Sequence, residues 1–229
     1  MTRARRDRTG GTREALMAAA ERLYAEHGLL AVSNRRIGEA VGQRNVTAVG
    51  YHFGGRTELV RAIMARHGEQ VDRLRGRCLA GGPPGDDVRG WVECLVRPPL
   101  RYLASLGVPS WSARFGAQVM TDPALGKLVG EEACARPHLR RILDGLGRRL
   151  DHLPPPVRES RGTMARQLVT AVGAEQERAL AENDPRESWE ETSQGLVDAL
   201  VGLLTAEVTE PTHTIRTQGK ETPDREAQR

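Results

Sequence analysis

The sequence predicts an all-α chain, on three observations. Aromatic residues make up only 3% of the 229 positions while apolar residues reach 38%, so the core must rest on Leu, Val and Ala, as in helix bundles rather than sandwiches. Apolar positions recur at three- and four-residue spacing, and no stretch shows the alternation of a half-buried strand. Gly28, Gly42, Gly54-Gly55, the run from Ala80 to Gly85, Pro137, Pro154-Pro155-Pro156 and Asn183-Asp184-Pro185 then punctuate the chain at intervals that suit helices.

Taken in order, residues 1–11 are polar and arginine-rich and read as a disordered basic arm, either a reach toward a polyanion or an inert terminus. Thr12 to His27 reads as the first helix, with Leu16, Ala20, Leu23 and His27 on one face, Thr12 as cap and Gly28 as stop. Ser33 can cap a second helix, because its hydroxyl can accept from an open N–H of the first turn, and Ile37, Ala40 and Val41 form its apolar stripe. Gly42 ends that helix as a residue that tolerates positive φ. Gln43 and Arg44 make the turn, Asn45 can cap the next helix, and Val46, Val49 and Phe53 give it an inward face. Two short helices with so much polar surface, joined by a tight turn, form a helix-turn-helix, whose second helix fits the DNA major groove.

The residues that carry a family resemblance are Tyr51-His52-Phe53-Gly54-Gly55-Arg56 with Leu59 after them, the amphipathic stretch from Thr12 to Gly28, and Val32-Ser33 leading into Ile37-Gly38. This segment, roughly residues 12 to 66, resembles the DNA-binding domain of tetracycline-repressor (TetR) family regulators. Two departures stand out. The turn after Gly42 is one residue longer than the commonest family pattern, and Gly50 stands where many members carry tyrosine or asparagine. Glycine there costs about 1 kcal/mol against alanine. It also removes a side-chain contact, unless a close backbone approach to DNA replaces it.

The resemblance implies a DNA-facing set of Ser33, Asn34, Arg35, Arg44, Asn45, Thr47, Ala48, Tyr51, His52 and Arg56. Arg56 is expected to hold a phosphate, Arg35 to fork onto guanine, and Tyr51 either to touch DNA or to pack under the turn. It further implies a helical sensing and dimerisation domain over residues 57–208, after the DNA-binding domain of residues 12–56. A small-molecule effector pocket would lie among Trp91, Tyr102, Trp111, Phe115 and Met120, although aromatics at helical spacing are more often plain core.

The remaining elements follow from periodicity. Thr57 to Leu79 reads as a long connecting helix, and Asp86 to Leu106 as the next, kinked or interrupted by Pro98-Pro99. Trp111 to Met120 reads as a short helix; Asp122-Pro123 has the cap and first-turn proline of another, and Leu139 to Leu153 follows Pro137. Two long helices close the fold over 157–183 and 186–208. Their stripes, Met164, Leu168 and Val172 on the first and Leu196, Leu200 and Leu203 on the second, predict a homodimer through a four-helix bundle. Residues 209–229 are polar, without periodicity, and read as a disordered tail.

Charge supports the DNA reading. Up to His67, twelve arginines face six acids, so this segment carries +6 of a chain whose total is +4, and the rest carries −2. No apolar run approaches the roughly 18 residues that cross a membrane, and no apolar stretch follows the basic start as in a secretory signal. Cytoplasmic residence is expected, with Cys78, Cys94 and Cys134 as reduced thiols. No catalytic constellation, metal motif or phosphate-binding glycine loop is present, and His138 and His152 have no carboxylate at a telling spacing. The expected protein is therefore a regulator, not an enzyme, with no cofactor or metal. The resemblance implies that it represses by covering a pseudopalindromic operator as a dimer and that a small-molecule effector releases it. The competing readings are an activator or architectural DNA binder without ligand, and a helical enzyme or carrier with a vestigial helix-turn-helix.

Overall fold

The computed structural model describes residues 3–42, 47–82 and 84–208, and all regular structure in it is helical. The helices are α1 (Arg3–His27), α2 (Asn34–Ala40), α3 (Ala48–Phe53), α4 (Arg56–Ala80), α5 (Val88–Leu106), α6 (Ser112–Thr121), α7 (Pro123–Cys134), α8 (Pro137–Arg149), α9 (Pro155–Ala181) and α10 (Trp189–Thr205).

Local chemistry sets most boundaries. Ser33 Oγ accepts from Arg36 N at 3.2 Å and starts α2. Asp122 Oδ1 accepts from Ala124 N and Leu125 N at 3.0 Å each, with Pro123 in the first turn of α7. Ser188 and Glu191 form a reciprocal capping box at α10. Gly42 and Gly54 close α2 and α3 with φ of 70° and 84°, the left-handed region that side chains with a Cβ avoid.

Two expectations about boundaries are corrected. The stretch read as a disordered arm is helical from Arg3, so α1 runs through Gly10-Gly11. The two glycines cost about 1 kcal/mol each against alanine, and the arginines and alanine around them are good helix formers that add little further cost. Helix α5 also continues through Pro98-Pro99 without a break, its flanks packed on α4, α8 and α10. Burial of Pro98 and Leu100 compensates for the amide bonds that two prolines cannot make.

Two apolar clusters hold the fold. The first joins Leu16, Leu23, Tyr24, Ile37, Val49, Leu59 and Ile63 to Phe115 and Val119 of α6 and Leu125 and Val129 of α7. The Tyr24 and Phe115 rings stack with centroids 6.0 Å apart. The second gathers Trp91, Val92, Val96 and Leu100 of α5, Ile142 and Leu146 of α8, and Leu196, Val197 and Leu200 of α10. Gly145 lets α8 press against the Trp91 ring: a Cβ at that position would lie 2.5 Å from it.

Cys78 and Cys94 are joined by a disulfide, with Cα atoms 5.8 Å apart, so they are not the free thiols expected from the sequence. The antiparallel α4–α5 hairpin brings together two residues that sixteen positions of sequence separate. Among the described residues no helix is long and apolar enough to cross a membrane.

Candidate nucleic-acid interface

Helices α2 and α3 pack on one another, on α1 and on the start of α4. Ile37 and Val49, both fully buried, anchor the pair inward. The opposite sides are solvent-facing: Ser33, Arg35 and Arg36 on α2, and Thr47, Gly50 and Tyr51 at α3. Tyr51 is 76% exposed and meets His52 edge-on, with ring centroids 5.1 Å apart. Of its two sequence readings, packing under the turn does not describe this placement. Gly50 has open space where a Cβ would be, leaving the outer backbone of α3 uncovered.

The charged groups of this surface are partly pre-arranged. Arg35 Nε lies 3.3 Å from Glu39 Oε1 on an exposed i,i+4 pair, and Arg36 Nη2 is 2.8 Å from His27 Nε2. In water such contacts hold weakly, so either guanidinium can turn to a phosphate at little cost. Arg13 lies over the Phe53 ring at 4.7 Å and steadies the end of α3 against α1.

Three of the expected DNA-facing residues sit otherwise. Ala48 is buried in the first core cluster, because α3 opens at Thr47 and turns that side inward. Arg56 is half-buried, and its Nη2 donates to the Val32 carbonyl at 2.8 Å instead of pointing outward. Asn34 is half-buried with its Oδ1 lacking a partner among the described residues. Arg44 and Asn45 lie outside the described residues.

Polar contacts tie this unit to the rest of the molecule through α4. Arg66 Nη2 meets Glu21 Oε2 of α1 at 2.8 Å; His67 Nε2 lies 2.9 Å from the other Glu21 oxygen, and His67 Nδ1 2.6 Å from the Tyr102 hydroxyl of α5. Burial, helped by the Glu21 carboxylate, raises the Tyr102 pKa. Arg61 bridges Glu58 and Glu132 of α7, and Asp72 accepts from Leu139 N of α8 at 3.0 Å while contacting His138 Nδ1 at 2.9 Å. His138 thus has the carboxylate partner that sequence spacing did not show. Burial lowers the Arg75 pKa to about 10, with Asp72 opposing and Arg136 adding to the shift.

The residues expected to share an effector pocket are not gathered into one. Trp91 fills the second cluster, with its Nε1 donating to the Gly85 carbonyl at 3.0 Å. Phe115 and Met120 belong to the first cluster, and Tyr102 is engaged by His67. Trp111 stands half-buried at the N-cap of α6. A groove of about 550 Å³ opens elsewhere, between α1, α3, α4 and the α7–α8 turn. Arg13 of α1, His52 and Phe53 of α3, Arg61 of α4, Glu132 of α7 and Arg136 of the turn are among its lining residues. Sequence reasoning missed it because its walls come from four separated segments. At the other end, Leu196 and Leu200 of the expected dimer stripe are buried within the chain against α5, whereas Met164 is 49% exposed and Leu168, Val172 and Leu203 are half-buried.

No protein-family model matches the chain, and no curated protein matches it. Among solved structures, a Rhodococcus sp. protein assigned to the TetR family of transcriptional regulators is similar. It has a TM-score of 0.53 and 13% identity, over 85% of this chain and all of the other. LfrR of Mycobacterium smegmatis, a TetR-like transcriptional regulator solved with proflavine, aligns at a TM-score of 0.38 and 24% identity over 87% of this chain and 99% of its own. The all-helical chain, with its helix-turn-helix at α2 and α3, has the fold of the TetR-family regulators.

Proposed function

We propose that the protein is a DNA-binding transcriptional regulator that reads a pseudopalindromic operator with α3 as a homodimer. The observation that carries this reading is the outer side of the α2–α3 pair, where Arg35, Arg36 and the 76%-exposed Tyr51 face solvent and the backbone at Gly50 is uncovered. Guanidinium groups there meet phosphates or guanine edges, and the tyrosine ring meets a thymine methyl or a phosphate. The concentration of positive charge before His67 supports the same partner.

Dimerisation would use the outer faces of α9 and α10, where Met164, Ala171, Gly195, Ala199 and Gly202 are exposed and Leu168, Val172 and Leu203 are half-covered. Small residues there let two copies approach closely, and the two-fold axis would set the α3 helices about 34 Å apart on one DNA face. Repression by occlusion follows from such binding, with release by an effector that favours a different α4 setting. The groove beside Phe53 and Arg61 is the natural place for that effector, since it touches α3, α4 and α7 at once.

The test is selection of duplexes from a randomised library by the full-length protein, followed by affinity at several salt concentrations. Enrichment of an inverted repeat, bound more weakly as salt rises, is the expected result. Failure to enrich any sequence, with salt-insensitive binding, would overturn the reading.

A further inference from the structure

Cys78 and Cys94 join the far end of α4 to α5. Cys78 is in the last turn of α4 and exposed, whereas Cys94 is buried among the apolar residues of the second cluster. The two apolar clusters among the described residues give the fold an extended core of its own, unlike the small domains that need a staple. A bridge with one of its two residues exposed is also within reach of small thiols and oxidants. The helix it terminates begins at Arg56, which holds the Val32 carbonyl ahead of α2, and is tied on the way to Glu21 of α1 and Glu132 of α7.

We propose that Cys78 and Cys94 form a reversible dithiol–disulfide site, open to peroxide-class oxidants and low-molecular-weight thiols, whose state sets how firmly α4 holds the helix-turn-helix. The consequence for DNA rests on the function proposed above; the chemistry and the change in α4 do not. In the oxidising direction the Cys78 thiolate attacks the O–O bond, keeps one oxygen as a sulfenic acid and releases the other as hydroxide or alkoxide. The Cys94 thiolate then attacks that sulfur and expels hydroxide, so two electrons pass to the peroxide and the protons end on water or alcohol. In the reducing direction an external thiolate attacks the Cys78 sulfur and Cys94 leaves as a thiolate that takes up a proton. A second external thiol resolves the mixed disulfide, regenerating the Cys78 thiol and giving the external disulfide.

The test uses the full chain with the Cys134→Ser substitution, which removes the exposed third thiol. The protein is equilibrated in glutathione buffers of graded ratio and its thiol state is read by alkylation and intact mass. Amide hydrogen exchange and affinity for a library-selected duplex are then measured on both forms. The expected result is reversible cycling, faster exchange on reduction along α4 as far as Arg56 and Val32, and a change in duplex affinity of about fivefold or more. Cys78→Ser should behave as the reduced form in every buffer. A bridge that resists millimolar glutathione, exchange differences confined to residues 76–90, or a duplex-affinity ratio under fivefold would overturn the proposal. If neither form binds any duplex, the DNA reading fails, and the exchange pattern alone decides the redox site.

Discussion

Arg56, in the first turn of α4, donates from Nη2 to the main-chain carbonyl of Val32 at 2.8 Å. Val32 is fully buried, so this guanidinium satisfies a carbonyl that water does not reach. It also lies beside the buried Tyr24 phenol, whose pKa burial raises and the arginine partly restores.

Arg56→Ala should therefore cost about 1–3 kcal/mol of folding stability, the penalty for an orphaned buried acceptor. Urea unfolding reads this directly. The slope of log affinity against log salt should stay unchanged, because the group does not reach outward; a slope reduced by about one unit would restore the phosphate-anchor role expected from sequence.

Tyr51→Ala should leave stability within about 0.5 kcal/mol, as for other exposed positions. Binding to a selected duplex should fall, with the loss concentrated at one or two base pairs. Arg35→Gln should instead weaken all duplexes and lower the salt slope by about one unit if its contact is to phosphate, or relax a single guanine position if it forks onto a base. A sharp drop in melting temperature for Tyr51→Ala would contradict the exposed placement.

Gly145→Ala should destabilise by about 1–3 kcal/mol despite the better helix propensity of alanine. The added Cβ would stand 2.5 Å from the Trp91 ring, so α5 and α8 must part. Near-ultraviolet dichroism of the tryptophan band should change along with the unfolding midpoint. A variant as stable as the parent would show that the ring has room to move.

Glu177→Ala should cost about 3 kcal/mol or more. This carboxylate is 2% exposed and accepts from Ser110 Oγ at 2.7 Å, Ala113 N at 3.1 Å and Arg114 N at 2.9 Å, with Arg114 Nε at 3.3 Å. It caps α6 from α9, so its loss takes the acceptor from two amides, the Ser110 hydroxyl and Arg114 Nε at once, while Arg114 Nη2 keeps the Ser110 carbonyl at 2.8 Å. Glu177→Gln keeps acceptor capacity and should lose less; equal losses would point to packing rather than capping.

Much of the fold was legible because helix ends are written locally. Ser33, Gly42, Gly54 and Asp122 act within four residues of themselves, and each stands where the sequence reading put it. The face each helix presents was less legible, because it depends on partners far along the chain. Ala48 reads as surface on its own helix but is covered by the first cluster, and Leu196 and Leu200 read as an outward stripe but pack beneath α5. Arg56 matched a family position by sequence, yet the carbonyl that claims it belongs to a loop 24 residues upstream. The Cys78–Cys94 pairing and the Asp72–His138 contact were invisible for the same reason: spacing along a chain does not reveal neighbours across a helix hairpin.

The stacking of Tyr24 on Phe115 bears on how this architecture can be recombined. The first apolar cluster draws Phe115, Val119, Leu125 and Val129 from beyond residue 110, so the head does not own the core it stands on. Cutting the chain after residue 56 would strip one wall from that core and should leave a fragment that does not fold alone. Grafting a foreign head onto this body would demand that the donor supply a ring or its equal at position 24. The segment before residue 57 and the segment beyond residue 110 are therefore not interchangeable cassettes, because each supplies part of the same core.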